Sequence, residues 1–207
     1  MKALLKSVAA AALFVAAGAA HAIPVTLTGL AILSPYSTVS GTLNGNSYSD
    51  LAGALRINTI EIGTFAAFCT ELDSTVSSIY PVTYDYTTYT QDGVARVLSL
   101  YGTGAYSAAA TQVAIWEAVY DSVAGDLSSG VFTVNAPASL LTESTALLAA
   151  AGALSVGQYD SNSMHALHND RYQDFVTTVP EPSTYALLLA GLTGIGFVAR
   201  RRSQNRA

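Results

Sequence analysis

Two apolar segments, one near each end, limit how much of this chain can fold as a water-exposed domain. The first runs from Leu4 to Ala20 and the second from Thr184 to Ala199. Residues 23–179 lie between them and number 157, a comfortable size for one domain with its own core. We therefore expect one folded body with a separate segment at each end.

The first apolar segment has the features of a secretory signal peptide. Lys2 and Lys6 form a basic start, and Ala20 and Ala22 satisfy the small-x-small rule for cleavage. We predict a signal peptide at residues 1–22 that signal peptidase removes, so the body is exported.

The second apolar segment offers 16 residues from Thr184 to Ala199, at or just under the roughly 17 to 25 that span a bilayer. Three arginines follow it, and by the positive-inside rule they hold residues 203–207 in the cytoplasm. A Pro-Glu-Pro step precedes it at 180–182. An ordinary single-pass anchor would have the same apolar helix, but it does not require the Pro-Glu-Pro step.

Residues 179–202 resemble the PEP-CTERM sorting signal, which in its family a membrane protease called exosortase recognises and removes. The positions that carry the resemblance are Pro180, Glu181, Pro182, Arg200, Arg201 and Arg202. The resemblance implies a Gram-negative-type bacterium, transient association with the inner membrane, and then a place at the cell surface or outside the cell.

The charge of the body excludes one class of partner. It contains three arginines, no lysine and thirteen acidic residues, for a formal net charge of −10. Such a surface repels the phosphate backbone, so we expect no nucleic-acid partner.

The residue pattern predicts an α+β fold, with N-terminal antiparallel strands packed against two or three helices and one C-terminal hydrophobic helix. Short β-rich runs fill residues 24–70, and Asn44-Gly45 is a strong hairpin signal. The stretch containing Tyr84 and Tyr86 has a period near two and is interpreted as an edge or surface strand. The predicted strands in the first part are Val25–Leu33, Ser37–Leu43, Leu51–Ile57 and Glu61–Thr70.

The period becomes helical near residue 91. Residues 23–153 form the predicted globular body, and 154–178 a partly ordered linker with one strand near Gln173–Thr177. The remaining predicted elements are helices at Gln91–Tyr101, Ser107–Ala124 and Ala138–Ala151, and a strand at Gly130–Asn135.

Cys69 and Gln112 are the two residues that call for a chemical explanation. Cys69 is the only cysteine, so no disulfide can form within the chain. An unpaired thiol in an oxidising compartment is buried, modified or engaged in another bond. Gln112 lies in the apolar stripe of a predicted helix, where an unpartnered amide costs roughly 1 to 3 kcal/mol. It is therefore either hydrogen-bonded or chemically consumed.

Phe68-Cys69, followed by Thr111-Gln112-Val113-Ala114-Ile115-Trp116, is similar to the thioester domains of bacterial surface adhesins. Those domains carry an aromatic-Cys pair and a Gln-x-Ala-Ile-Trp helix, and the similarity covers roughly residues 60–125. It implies an internal thioester between Cys69 and Gln112, shielded by Trp116 and Phe68, that captures an amine or hydroxyl on a target surface. The alternative is a small buried cysteine beside a satisfied core amide, with neither reactive.

Other candidate sites are weaker. His165 and His168, with Asp170 and Asp174 nearby, lack a convincing third metal ligand. Glu71 and Asp73 have the spacing of a solvated strand end. The sequence has no Gly-x-Ser-x-Gly elbow. We predict no metal, no cofactor and no turnover enzyme.

Two function hypotheses follow for the exported body. The first is a cell-surface or matrix protein that attaches covalently through the thioester. The alternative is a noncovalent structural or exopolysaccharide-associated matrix protein, with a binding surface formed by Tyr84, Tyr86, Thr87 and Thr88.

Overall fold

The computed structural model describes residues 22–159, 164–178 and 191–192. Over this part of the chain the fold is α+β, with antiparallel strands and three helices. In chain order the elements are β1 (Ile23–Ile32), β2 (Ser37–Leu43), β3 (Asn46–Ala52), β4 (Leu55–Thr59), β5 (Thr64–Cys69), β6 (Val82–Thr88), α1 (Asp92–Tyr101), α2 (Ala108–Tyr120), β7 (Phe132–Asn135), α3 (Ala138–Ala153), β8 (His165–His168) and β9 (Phe175–Thr177).

Six strands close into a barrel in the order β1-β4-β5-β9-β8-β6. The long strand β1 makes closure possible because it pairs with β6 through its first half and with β4 through its second. The register shifts between Leu27 and Gly29, where the strand passes from one partner to the other. The inward-facing side chains form one core cluster: Val25, Leu27, Leu55, Ile57, Ala67, Tyr84, Tyr86, Leu167 and Phe175.

The tyrosines of β6 are inside this barrel. Tyr84 is 1% exposed and its ring lies 5.7 Å from that of Phe175, while Tyr86 stacks on His165 at 4.5 Å. Of the predicted binding surface on Tyr84, Tyr86, Thr87 and Thr88, the two tyrosines are therefore wrong, while the two threonines are half-buried. The period of two was correct, but alternation cannot tell which face is the wet one until the neighbouring strands are known.

A second sheet has the order β3-β2-β7. The β2–β3 hairpin turns at Asn44 and Gly45, both of which have positive φ, as a two-residue turn of this kind requires. Gly41 of β2 must be glycine where β2 approaches β7, because a Cβ there would lie 1.9 Å from the carbonyl oxygen of Thr133.

The predicted strand Leu51–Ile57 is two strands, β3 and β4, which belong to different sheets. The break falls at Gly53, where a Cβ would lie 2.9 Å from the Cβ of Tyr36. The close approach of the Tyr36 backbone takes the chain out of one sheet and into the other.

Residues 154–178 also differ from the predicted linker. The strand expected near Gln173–Thr177 is present as β9, but β8 precedes it, and together they close the barrel between β5 and β6. Residues 164–178 are part of the folded body. Their strands have only four and three residues, too few for an alternating pattern to be recognised in the sequence.

The three helices pack against one another and bury a second, larger core cluster. Helix α2 ends at Tyr120, four residues before the predicted Ala124. The predicted C-terminal helix at 184–199 lies outside the described residues apart from positions 191 and 192. Among the residues that the structure does describe, no helix has the length and apolar character needed to cross a membrane.

Candidate functional site

The centre of α2 lies against the end of β5. Ser107 starts the helix, because its side chain accepts a hydrogen bond from the N–H of Ala110. Every residue from Ala109 to Ala118 is buried, so this stretch has no solvated face. A helix apolar on all sides belongs in a core, and a polar side chain within it can find partners only there.

Gln112 finds both of its partners on Cys69. The N–H of Cys69 donates to Oε1 of Gln112 at 2.9 Å, and Nε2 of Gln112 donates to the Cys69 carbonyl at 2.8 Å. The two bonds close a ring, which places the amide carbon opposite the Cα that carries the thiol. The structure thus brings together the two residues that the sequence singled out, and Gln112 is 1% exposed.

The position at which β4 begins explains why the backbone N–H and C=O of Cys69 can bond to a side chain. Strand β4 begins at Leu55, which lies opposite Ala67 of β5. The chain before it, at Gly53, is directed away from β5, so no residue of β4 lies opposite Cys69. On the other edge of β5, the N–H of Thr70 bonds to the carbonyl of Asp174, the residue directly before β9. Backbone groups of neighbouring strand residues point to opposite edges. Gln112 therefore takes the place of the missing β4 residue.

The thiol itself is only partly exposed and is free in this structure. Burial raises the pKa of the Cys69 thiol well above its ordinary value, and the carboxylates of Asp50 and Glu71 raise it further. The thiol is therefore protonated at neutral pH. A protonated thiol is a poor nucleophile, because the thiolate is the attacking form.

The two predicted shielding residues lie in the core around this pair. Trp116, one turn after Gln112, is 1% exposed, and its ring lies 6.4 Å from that of Phe132. Phe68 is buried and its ring meets the edge of Tyr101 at 4.9 Å. Both side chains belong to the cluster that includes the helices, so water has little access to the Gln112 amide from this side.

The histidines of β8 do not form a shared site. His165 is buried against Tyr86, whereas the exposed His168 bonds through Nδ1 to Asp174 at 2.6 Å. Residues three apart in a strand point to opposite faces. The bond to Asp174 raises the pKa of His168, with a smaller effect from Asp170. In residues 22–159 and 164–178 no group of three His, Cys, Asp or Glu side chains has the arrangement of a metal site.

Glu117 is a polar core residue that the sequence reasoning did not single out. It is 0% exposed, and neither carboxylate oxygen has a hydrogen-bond partner. Burial raises its pKa to about 7, and the nearby Asp121 and Asp126 carboxylates add to the rise. The signal was present in the sequence: an acidic residue inside a run that is apolar on every side of the helix must be buried.

The sequence of the tail decides where the body goes. Residues 178–202 match the PEP-CTERM protein-sorting motif. The PEP-CTERM motif implies export, a C-terminal sorting signal that anchors the chain in a membrane, and processing by exosortase before the body reaches the surface or the medium. Neither the characterised proteins nor the solved structures include a significant match to the chain.

The positions that carry the PEP-CTERM resemblance lie outside the described residues, and so does Ala20 of the predicted signal-peptide cleavage site. Ala22, the other residue of that cleavage site, is described and exposed, directly before β1.

Proposed function

We propose that the exported body attaches covalently to a target through an internal thioester between Cys69 and Gln112. The observation that carries the proposal is the pair of hydrogen bonds between the Gln112 amide and the Cys69 backbone. These bonds hold the carbonyl carbon of the buried Gln112 against the residue that carries the sole thiol of the chain. On this proposal the protein reacts once and is not a turnover enzyme.

Formation of the bond is balanced without any further reactant. Sγ of Cys69 attacks the side-chain carbonyl carbon of Gln112, the C–N bond breaks, and the thiol proton leaves with the nitrogen as ammonia. Negative charge develops on Oε1 during the attack, and the Cys69 N–H already donates to that oxygen at 2.9 Å. A fixed donor at this position stabilises the charge as an oxyanion hole does.

The raised pKa of Cys69 has two opposite consequences. It slows formation of the bond, because little thiolate is present. It also slows the opening of the bond by water, because a thiol of higher pKa is a poorer leaving group. On this proposal the bond forms once, during or after folding, and then persists until a target amine or hydroxyl reaches it.

Intact-mass measurement on protein recovered after export tests the proposal. We expect a deficit of one ammonia in the wild type, and none in Cys69→Ala or Gln112→Ala. Treatment with methylamine should restore a titratable thiol and label Gln112. Full theoretical mass together with one free thiol in the wild type would overturn the proposal.

The same geometry supports a second candidate, a structural or exopolysaccharide-associated matrix protein with no reactive bond. In that case Gln112 only completes the open edge of β5, and the protonated Cys69 is an inert core thiol. Attachment to the producing cells or their matrix distinguishes the two functions. Covalently attached protein survives a denaturing wash and depends on Cys69, whereas noncovalently bound protein is removed.

We propose further that the tail acts at the inner membrane of a Gram-negative-type cell, transiently and before release or display. Replacing both Pro180 and Pro182 by alanine should leave an uncleaved form in the inner-membrane fraction. Replacing Ser203 and Gln204 by alanine, just beyond the arginines, is the matched control and should leave processing unchanged. Normal processing of the double proline variant would count against the sorting role of the Pro-Glu-Pro step.

A further inference from the structure

A groove crosses the N-terminal end of α2. It consists of two adjoining clefts of about 570 and 190 Å³ that share Pro35 and Ser107 in their walls. One wall is the β1–β2 connection, and the opposite wall is formed by the α1–α2 connection and the start of α3. The larger cleft is within the range of roughly 300 to 1,000 Å³ that is usual for ligand sites.

Three tyrosine rings and four serine hydroxyls are set among otherwise mainly small and apolar lining residues. Tyr101 and Tyr106 line the larger cleft, and Tyr36, which is 48% exposed, lines the smaller one. The close packing of Gly53 against Tyr36 fixes the backbone that carries this ring. A tyrosine offers an apolar face and a hydrogen-bonding tip in the same side chain, and serine hydroxyls lie between the rings on both walls.

The charge of the groove identifies the class of ligand. Glu143 is the only residue in the lining that is charged at neutral pH, and its two oxygens accept bonds from the N–H and Oγ of Ser107 at 2.6 and 2.8 Å. The start of α2 would otherwise attract an anion, but Glu143 already occupies it. With no cationic side chain in the lining, the groove suits a neutral ligand rich in hydroxyl groups.

The groove also lies close to the Cys69–Gln112 pair, although neither residue lines it. Ala108 lines the larger cleft and precedes Gln112 by four residues, about 6 Å along the helix axis. On the opposite side, the Tyr101 ring contacts Phe68, the neighbour of Cys69. A ligand in the groove therefore lies within about one helical turn of the amide.

We propose that this groove binds a neutral polysaccharide, and that a sugar hydroxyl held there is the group that opens the thioester. The second half of this statement rests on the proposed function. In the reaction the hydroxyl oxygen attacks the carbonyl carbon of Gln112, an ester C–O bond forms and the C–S bond breaks. The hydroxyl proton passes to Sγ, which restores the thiol of Cys69.

Binding is measured first without the reactive bond, in the Cys69→Ala protein, by affinity electrophoresis in gels that contain hydroxyethyl cellulose, a neutral glucan. We expect retardation that Tyr36→Ala and Tyr106→Ala each weaken at least tenfold. Tyr159→Ala, which removes a tyrosine near the opposite end of α1, is the matched control and should not change retardation. Alginate, which is anionic, should retard none of these proteins.

Covalent capture is then measured in proteins that retain Cys69, as glucan-linked protein that resists a denaturing wash. Tyr106→Ala should keep the ammonia deficit and its reaction with methylamine but lose capture of the glucan. An ammonia deficit in the wild type without glucan retardation of Cys69→Ala would overturn the groove assignment alone. Retardation with no ammonia deficit would overturn the thioester and leave a noncovalent sugar site. Retardation by alginate or by a neutral peptide instead of the glucan would also overturn the assignment.

Discussion

The two halves of α2 differ in whether their buried polar side chains have hydrogen-bond partners. Gln112, against β5, has both ends of its amide bonded to one residue. Glu117, five residues later and beneath the loop at 121–130, has two oxygens with no partner. Both side chains are essentially inaccessible to water. One end of the helix is built around a satisfied amide, and the other buries an acid whose pKa is raised to about 7.

The comparison separates two uses of a buried polar residue. A satisfied amide stabilises the fold as it stands, and its geometry can also serve a reaction. A buried carboxyl without a partner has no hydrogen bond to offset its desolvation, and its raised pKa makes the stability of the fold depend on pH. The C-terminal end of α2 is thus the weaker part of the helix, while the end that contacts Cys69 and the groove is held firmly.

The largest expected effect comes from replacing Gln112. Gln112→Leu leaves the N–H and C=O of Cys69 without partners, and we expect a loss of about 2 to 4 kcal/mol in the free energy of unfolding. Urea denaturation measures the loss. Gln158→Leu, which removes one exposed hydrogen bond from the N–H of Ser155, should cost about 1 kcal/mol or less.

Cys69→Ala separates stability from reactivity in this comparison. It removes the thiol but keeps the backbone groups that Gln112 bonds, so it should unfold close to wild-type protein that has not yet formed the thioester, while lacking the ammonia deficit. If Cys69→Ala were destabilised as much as Gln112→Leu, the hydrogen-bonded ring would not be the source of the stability.

The next effect is the pH dependence that Glu117 introduces. Its pKa rises from 4.5 to about 7 on folding, so the folded protein holds the proton more tightly than the unfolded chain. The stabilising contribution is complete below pH 4.5 and is lost as the pH rises through 7. A shift of this size corresponds to about 3 kcal/mol. Urea titrations at several values between pH 5 and 8 measure it.

Glu117→Gln cannot ionise, so its stability should fall much less over the same range. His168 has a raised pKa too and also loses its contribution as the pH rises, but this effect is common to both proteins. Glu61→Gln is the control. Hydrogen bonds from Thr26 lower the pKa of Glu61, so this carboxyl changes stability only at pH values below about 5, and the slope between pH 5 and 8 should stay that of the wild type. An unchanged slope in Glu117→Gln would show that the carboxyl is not neutral in the fold.

Part of this arrangement could be predicted from the sequence. The Asn44-Gly45 turn and the helical period of α1 and α2 are local signals, and those elements lie close to where they were expected. The proximity of Cys69 and Gln112 came from the similarity to thioester domains. The similarity did not predict the hydrogen bonds of Gln112 to the Cys69 backbone. Those bonds depend on where β4 begins, and that position is set by the packing of Gly53 on Tyr36.

The closed barrel could not be predicted from the sequence. Its closure depends on two very short strands, β8 and β9, that pair with segments about 80 to 110 residues earlier in the chain. No local pattern encodes such pairing, since a strand of three or four residues has too few alternations. The burial of Tyr84 and Tyr86 follows from the same closure, which is why they were mistaken for a surface.

The smallest effect tests how closely the loop packs on Glu117. A Cβ on Gly125 would lie 1.6 Å from Oε1 of Glu117, so Gly125→Ala forces the buried carboxyl to move and should cost about 1 to 3 kcal/mol. Gly152→Ala is the matched control. That glycine is exposed in α3 with nothing nearer than 3.8 Å to the new Cβ, and the change should stabilise by up to about 1 kcal/mol.

Adding Glu117→Ala to Gly125→Ala should recover most of the loss, measured as a coupling energy in a double-mutant cycle. Additive effects would mean that the loop does not rest on the carboxyl, and the two ends of α2 would then differ only in hydrogen bonding.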